Sequence, residues 1–395
     1  MPYRAFILKI LSDLRASYWF IPTCLVFASW ILAELLLYVD RGNVSWIDPL
    51  LAEIENTQID GARTILSVIA QSVIGVTGVM FSVTMVAVSF ASGNFGPRLI
   101  GNFMRDRGNQ WSLGILISTF VYALIILRSV QSPAEGGPEV FVPQASIIVA
   151  MGLALVSVFV MIFFVHHVPE TINVSNIVAG LGERLCAALT STAHDCAPHD
   201  PLPVKETHAV TLSSPGYVQR VDTEQMQEIA EENDLRIDLL IRPGMFVNAA
   251  FHVARVAGDL SDDAETALKS AIALGKAKTE DQNLLFIAEQ QVEMLARALS
   301  PGVNDPHTAI DCLNWLAAGI VAGAREGACF GIRPTERVSV PPIDLAVLLD
   351  QTFGAARPYV DRDEMTLSHW QKLLDEMAAS GGDTLRSAIR PLRKG

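Results

Sequence analysis

Charged side chains are scarce in this sequence. Only 18% of its 395 residues are Asp, Glu, Lys or Arg, against about 25% in soluble domains. The scarcity is confined to residues 1–166, which contain 9 basic and 10 acidic side chains, whereas residues 167–395 contain 20 and 32. The net charge of −13 therefore comes almost entirely from the second part. These numbers exclude a wholly soluble globule and a basic nucleic-acid-binding protein.

Closely spaced cysteine pairs are absent as well. The five cysteines are scattered, form no CxxC motif and are odd in number: Cys24, Cys186, Cys196, Cys312 and Cys329. At least one of them must stay unpaired within the chain. We therefore expect a poor disulfide framework and a reducing compartment for the soluble part.

Catalytic and nucleotide-binding motifs are also missing. The sequence has no GxSxG, HExxH or P-loop, and no GxGxxG that opens a helix after a strand. Reactive side chains cluster at residues 194–200, but they lie in a proline-broken linker and match no structural zinc spacing. We expect the protein not to be an enzyme, and we expect no metal and no cofactor.

Long apolar runs dominate the first part. They cover about residues 18–39, 64–91, 111–127 and 142–165, and a bilayer crossing needs roughly 20 apolar residues. Backbone polar groups in lipid must bond within their own segment, so these runs predict helices. The sequence thus predicts an α-helical integral membrane protein with a four-helix transmembrane domain over residues 18–166.

Basic side chains lie on one side of these spans. Arg4, Lys9 and Arg15 precede the first span, Arg98, Arg105 and Arg107 separate the second and third, and residues 129–139 contain no Lys or Arg. The positive-inside rule then puts both termini, including residues 1–17, in the cytoplasm. Arg98, Arg105 and Arg107 become candidates for the inner mouth of a conduit or for contact with anionic lipid.

The second span combines small and polar residues on one face. At about 100° per residue, one sector of roughly 80° collects Ser67, Gln71, Gly75, Gly78, Ser82 and Ser89. Hydroxyls and an amide can line a hydrated path for ions in an oligomer. Small residues also let helices approach closely, so packing is the alternative. Elsewhere, Glu34 is the ionisable residue well inside a span, and it is a candidate for a proton or cation role.

The predicted secondary structure changes along the acidic second part. Residues 167–208 predict a connecting helix and a linker. Residues 209–258 predict short strands with Pro-Gly turns, interrupted by a helix that Asp222 caps. Residues 259–395 predict a helical region, in which Asp305 caps a helix that begins at Pro306. The fold class is therefore a four-helix membrane protein with a cytoplasmic α+β domain.

Residues 209–258, the small β module, contain two Pro-Gly motifs. Ser214-Pro-Gly-Tyr-Val218 and Arg242-Pro-Gly244 resemble the half-motifs of a biotinyl- or lipoyl-type barrel-sandwich domain. A carrier domain of that type attaches its cofactor to a lysine, and no lysine occurs between Lys205 and Lys269. The module therefore fits assembly or gating better than a carrier role.

Motifs along the whole chain resemble one family. They are Gly61-Ala-Arg-Thr64, Phe95-Gly-Pro-Arg98, the two Pro-Gly motifs and Ala298-Leu-Ser-Pro-Gly-Val-Asn-Asp-Pro-His-Thr-Ala309. In this order they are similar to the bacterial membrane-protein family of domain of unknown function 2254. The resemblance implies a bacterial inner-membrane protein, and it implies no activity and no catalytic residues.

Two functions fit these patterns. The first is a homo-oligomeric ion channel or channel-like conduit, lined by the second span and regulated by the cytoplasmic domain. The alternative is a membrane-anchored sensor or scaffold whose cytoplasmic domain binds a partner without transport. The expected partners are the lipid bilayer, further copies of the chain and, for a conduit, ions; nucleic acid is not expected.

Overall fold

A computed structural model describes residue 14 and residues 17–43, 58–96, 98, 100–131, 141–196, 202, 207–325 and 327–394. Most of the predicted cytoplasmic segment 1–17 and most of the linker after Cys196 lie outside these residues. The described residues form two compact units. Of these described residues, those between 17 and 93 and between 100 and 173 form the membrane unit, and residue 14 with those between 94 and 98 and between 174 and 394 form the C-terminal unit.

Long helices make up the membrane unit. They are α1 (Phe20–Tyr38), α2 (Ile59–Phe95), the short α3 (Ile100–Met104), α4 (Arg107–Ser129) and α5 (Gln144–Thr171). In the described part of the chain, four helices are long and apolar enough to cross a membrane, namely α1, α2, α4 and α5. The four predicted spans are thus helices that could cross a membrane by their length and composition, and each helix except α1 extends several residues beyond its apolar run.

Helix α4 lies at the centre of this unit and packs against α1 and α5. A Cβ on Gly114 would lie 2.6 Å from Leu25 Cδ1, so the missing side chain lets α1 approach. The Ser29 hydroxyl donates to the Ser118 carbonyl (2.7 Å), and the Tyr122 hydroxyl donates to the Ser146 carbonyl (3.0 Å). Such bonds satisfy buried polar groups where no water is present.

Asp40 ties the end of the first span to the start of the fourth. Its carboxylate accepts hydrogen bonds from the backbone N–H groups of Ala145 (2.9 Å) and Ser146 (3.0 Å) and from the Ser146 hydroxyl. The first N–H groups of a helix have no partner within the helix. An aspartate from a neighbouring helix end thus supplies that partner for α5.

The C-terminal unit begins with a helix and continues as mixed α and β structure. Its helices are α6 (Val174–Thr192), α7 (Thr223–Glu232), α8 (Asp262–Ser270), α9 (Leu284–Ala298), α10 (Pro306–Gly323), α11 (Leu345–Leu349), α12 (Ala355–Val360), α13 (Glu364–Ser380) and α14 (Asp383–Lys394). Its strands are β1 (His194–Asp195), β2 (His208–Thr211), β3 (Gly216–Val221), β4 (Arg236–Leu239), β5 (Phe246–Val247), β6 (His252–Ala257), β7 (Ile272–Gly275), β8 (Ala328–Cys329) and β9 (Val338–Ser339). Helix α6, the predicted connecting helix, is separate from α5, since residues 172–173 between them are not helical.

Two small sheets enclose the β core. One has the order β2-β6-β4-β9, with β9 parallel to β4, and the other has the order β5-β3-β7. Strands β7 and β9 lie outside residues 209–258, in the part of the chain after residue 259 for which the sequence predicts a helical region. The hydrophobic pattern marks local strands, but which distant strand completes a sheet depends on tertiary packing. The strands do not confirm a barrel-sandwich.

A helical layer occupies the rest of this unit. Helix α10 packs against α6, α9 and α13, and the buried Gln291 amide of α9 donates to the Val178 carbonyl of α6 (3.2 Å). Asp222 and Asp305 cap α7 and α10 through the backbone N–H groups of Gln225 and Thr308. Both predicted caps are confirmed.

A disulfide contradicts the expectation from cysteine spacing. Cys196 and Cys329 are bonded, 133 residues apart in sequence and with their Cα atoms 5.0 Å apart. The pairing of β1 with β8 places them side by side. Sequence spacing did not indicate this pair because the strand pairing that joins them is long-range.

Candidate functional site

Helix α2 is longer than one bilayer crossing requires. Its 37 residues correspond to about 55 Å at 1.5 Å per residue, whereas a hydrocarbon core is about 30 Å thick. The helix begins at Ile59, five residues before the predicted apolar span, and ends at Phe95. The helix is therefore longer than its apolar run at both ends.

The polar stripe of α2, defined as Ser67, Gln71, Gly75, Gly78, Ser82 and Ser89, faces away from the core. Ser67 is half-buried and the other five residues are exposed. The buried face of the same helix carries Ala62, Leu66, Ile69, Ala70, Val73, Met80 and Ala87. At about 100° per residue, the centres of the two faces are roughly 160° apart. The stripe is thus the outer surface of this unit.

The glycines of the stripe are not used for packing inside the unit. A Cβ at Gly75 or Gly78 would meet no atom within 4 Å among the described residues. Close approach within one chain, as at Gly114, therefore does not explain these two glycines. Two explanations of these glycines remain, namely packing against another copy of the chain and lining of a conduit.

Polar groups of the stripe differ in how they are satisfied. The Ser82 hydroxyl donates to the Gly78 carbonyl within the helix (2.9 Å). The exposed Gln71 amide makes no hydrogen bond with the residues that the structure describes, although it has two donor hydrogens and an acceptor oxygen. An unpaired amide in hydrocarbon costs several kcal/mol. Gln71 therefore favours water or a polar partner on this face.

Glu34 and the stripe are on different helices. Glu34 is exposed on α1, four residues before Tyr38, where the helix ends. In the described part of the chain no hydrogen bond or ion pair joins it to the stripe. The structure thus does not bring the intramembrane acidic candidate to the candidate conduit.

Arg98 is held by carboxylates rather than left on a bare surface. Its guanidinium lies 3.7 Å from Glu289 Oε2 and 3.4 Å from Glu293 Oε2, both on α9. Lys278 also pairs with Glu289, and Arg297 with Glu293. Gly96 has φ of 128°, and a Cβ there would lie 2.7 Å from Glu293 Oε1. Gly96 and Arg98 of the Phe95-Gly-Pro-Arg98 motif are thereby explained by a close approach and by ion pairs within the C-terminal unit.

Arg105 and Arg107 flank a helix cap instead. Both are exposed, and neither forms an ion pair with a described residue. Between them, the Asp106 carboxylate caps α4 through the backbone N–H groups of Gly108 (3.3 Å) and Asn109 (3.0 Å), and His167 Nε2 lies 2.8 Å from it. The exposed guanidiniums fit lipid contact or the inner mouth equally.

The motif of residues 298–309, the longest of those found in the sequence, forms a helix–helix turn. Asn304 has φ of 49°, and Asp305 caps α10 with the Thr308 backbone N–H 3.1 Å away. Burial would raise the pKa of Asp305, but hydrogen bonds from Thr308 outweigh that effect and lower the pKa below its ordinary value. The motif serves the turn that joins α9 and α10.

Sequence reasoning missed the partners of Arg98. Glu289, Glu293 and Arg297 occur four residues apart on α9, which places them on one helix face. That spacing was available in the sequence, but the segment to which this face binds lies about 190 residues earlier in the chain. As for metals, no group of three or more His, Cys, Asp or Glu side chains forms a candidate site among the described residues.

Comparison with known proteins adds a family without an activity. The family model described as "Predicted membrane protein (DUF2254)" matches residues 15–376. Uncharacterised proteins of Mycobacterium tuberculosis and Mycobacterium bovis are 29% identical over 322 residues, which cover 78% of this chain and 61% of theirs. The chain thus spans about three fifths of the length of these relatives. No solved structure matches it.

Proposed function

The chain belongs to the family of predicted membrane proteins DUF2254, and from this premise we propose that it forms a homo-oligomeric, channel-like conduit in the bacterial inner membrane. The polar stripe of α2 lines the path, and the C-terminal unit regulates it. One observation carries the proposal: the stripe, with the Gln71 amide, lies on the outer face of the four-helix unit.

A single copy offers no room for an aqueous path on this face. The core of the unit is filled by apolar side chains of all four spanning helices, so a path along the stripe needs several copies around an axis. From Ser67 to Ser89 the stripe rises about 33 Å at 1.5 Å per residue, close to the bilayer core of about 30 Å. A path of that length crosses the hydrocarbon.

Electrostatics leave the transported ion open. Asp60 lies in the first turn of α2, whereas Arg105 and Arg107 are exposed beyond the other end of this helix. Carboxylates attract cations and guanidiniums attract anions. The conduit is therefore proposed for a small hydrated ion, and the proposal does not specify a cation or an anion.

Paired cysteine substitutions on α2 test the lining. Ser82→Cys places a thiol on the stripe, and Val83→Cys, one residue on, places it about 100° away on a face where Val83 is 45% exposed. With Cys24, Cys186 and Cys312 replaced, a charged aqueous thiol reagent should modify residue 82 at least about tenfold faster than residue 83, because only a wetted thiol ionises readily.

The two alternatives give other results. If the stripe packs two copies together without water, the Ser82→Cys variant should form intermolecular disulfides under oxidation, and the aqueous reagent should react with neither position. If both positions are inert and no crosslink forms, the stripe faces lipid and the conduit is excluded. Absence of ion flux in liposomes under voltage and tension would then favour the membrane-anchored sensor or scaffold.

A further inference from the structure

The Cys196–Cys329 bond joins two short segments of the C-terminal unit. Residues His194 and Asp195 of β1 pair with Cys329 and Ala328 of β8, and the Cys196 backbone N–H donates to the Gly327 carbonyl (2.9 Å). Cys196 directly follows β1. The disulfide therefore fastens the chain that leaves α6 onto the loop after α10.

The two sulfur-bearing residues have unequal access to solvent. Cys196 is exposed, whereas Cys329 is only 2% exposed. Cys329 is also held on its second side by a β-bridge to Asp344, and the next residue, Phe330, donates its N–H to the Ile343 carbonyl (2.9 Å). A thiol in solution thus reaches this bond from the Cys196 side.

The other thiols of the described chain are poor targets. Cys312 is fully buried, and Cys24 lies in a membrane-spanning helix. Burial raises the pKa of the Cys186 thiol, which lowers its thiolate fraction. The exposed residue of the bonded pair is thus the best-placed one for exchange with a small thiol.

We propose that Cys196 is a reversible thiol-modification site, with Cys329 as its buried resolving partner and a low-molecular-weight thiol such as glutathione as the co-reactant. The charge distribution of the sequence predicts a cytoplasmic C-terminal unit. In that reducing compartment disulfides are usually transient and redox-sensing. An exposed sulfur bonded to a buried one provides the geometry for such exchange, and this inference does not depend on the conduit.

The exchange proceeds in two balanced steps. A small thiolate attacks Cys196 Sγ, forms a mixed disulfide there and displaces Cys329 as a thiolate, which takes a proton. A second small thiolate then attacks the small-molecule sulfur of that mixed disulfide and releases the Cys196 thiolate. The protein disulfide gains two electrons, and two small thiols become one small-molecule disulfide. The reverse sequence re-forms the bond.

Reduction would leave few contacts to hold β1 in place. Each of the two paired strands has only two residues, and the Arg325–Asp195 ion pair (2.8 Å) is 56% and 92% exposed on its two side chains. An exposed pair of this kind contributes little stability. Thr192, just before β1, and Gly331 and Arg333, just after β8, line a cavity of about 270 Å³. Reduction would therefore loosen chain on both sides of that cavity.

A redox titration of the full chain in detergent tests the site. The chain carrying Cys24→Ala, Cys186→Ala and Cys312→Ala is equilibrated in glutathione buffers of increasing oxidised fraction. Free thiols are blocked with N-ethylmaleimide, the remaining disulfide is reduced, and a mass-tagged maleimide is counted on a gel. We expect two tags per chain in oxidising buffer and none in reducing buffer. A pair that keeps both tags in reducing buffer, or never gains them, overturns the proposal.

Single substitutions then identify the attacked sulfur. In oxidised glutathione, the Cys329→Ser variant should accumulate the mixed disulfide on Cys196 at least about tenfold faster than the Cys196→Ser variant does on Cys329, because exposure controls access. Equal rates contradict the assigned roles. Should the substitutions prevent folding, mass spectrometry of the unsubstituted protein from intact cells decides: a Cys196–Cys329 bond that persists after treatment with a membrane-permeant dithiol is a permanent one and overturns the proposal.

Discussion

Single aspartate carboxylates cap the N-termini of several helices in this chain. Asp40, Asp106, Asp222 and Asp305 accept from helix N-termini, as does Asp363 at the start of α13. Each bond satisfies a donor that the helix itself cannot satisfy, and the negative charge is favourable at the positive end of the helix dipole. These residues position helices rather than carry out chemistry.

Replacement of Asp363 should be costly and pH-dependent. Its carboxylate accepts from the Thr366 hydroxyl (2.7 Å) and backbone N–H (2.7 Å), and these bonds lower the pKa of Asp363. We expect Asp363→Ala to cost about 1 kcal/mol, or roughly 2–4 °C in the thermal midpoint of a unit of this size. Thermal unfolding of the detergent-solubilised protein at neutral pH measures the difference.

The sign of the pH effect follows from the lowered pKa. The stabilisation is complete above the pKa of the unfolded chain, about 3.9, and is lost as the pH falls through the lower value of the folded state. The midpoints of wild type and Asp363→Ala should therefore converge in acid. Asp363→Asn retains a capping side chain but does not titrate, so its difference from Asp363→Ala should not change with pH; a constant gap for wild type would contradict the assignment.

At the scale of elements, glycines set how closely α6 and α10 approach. A Cβ on Gly182 of α6 would lie 2.3 Å from Cε3 of Trp315, and a Cβ on Gly319 of α10 would lie 3.0 Å from Cδ2 of Leu185. Leu181, Leu185 and Leu189 of α6 are fully buried on the same side. The Trp315 ring of α10 therefore packs directly against the backbone of α6 at Gly182.

Alanine at Gly182 should separate the two helices. The added methyl overlaps the Trp315 ring, a rigid group, and overpacking of this kind costs about 1–3 kcal/mol. Gly180→Ala is the matched control on the same helix, because its Cβ would meet no described atom within 4 Å and alanine favours a helix by up to about 1 kcal/mol. We expect a lower thermal midpoint for the first variant and an equal or higher one for the second; equal effects of both would show that Gly182 is not a contact point.

At the scale of the whole molecule, the two units have surfaces suited to different solvents. Its membrane unit exposes Phe27, Trp30, Val79, Phe159 and Val165, side chains that a soluble protein would bury and that lipid accepts. Its C-terminal unit has a buried apolar core around two sheets and most of the charge of the sequence. The membrane is thus part of the environment that stabilises the first unit.

The predicted orientation has a direct measurement. A fluorescent protein fused after Gly395 should be bright in intact cells, and alkaline phosphatase fused there should be inactive, because phosphatase folds only in an oxidising compartment. Phosphatase fused after Gln131, beyond the third span, is the control and should be active. The opposite pattern would reverse the topology, and the Cys196–Cys329 bond would then lie in an oxidising compartment.

Local patterns were sufficient for part of this architecture. The four apolar helices, the caps at Asp222 and Asp305 and the presence of short strands within residues 209–258 agree with the structure. Each depends on apolar length, period or a capping residue within a few positions. The barrel-sandwich, by contrast, is not confirmed, since β7 and β9 join the sheets from residues 272–275 and 338–339, and no local pattern indicates a partner so distant.

The sequence by itself determined that the chain has four helices apolar enough to cross a membrane and which α2 residues share one face, because hydropathy and helical periodicity are properties of consecutive residues. Only the tertiary structure decided that this face points away from the core, that Arg98 meets Glu289 and Glu293, and that Cys196 bonds Cys329. Those outcomes depend on which helices and strands pack together across long separations in the chain. That choice is made by the burial of whole surfaces and not by any short segment.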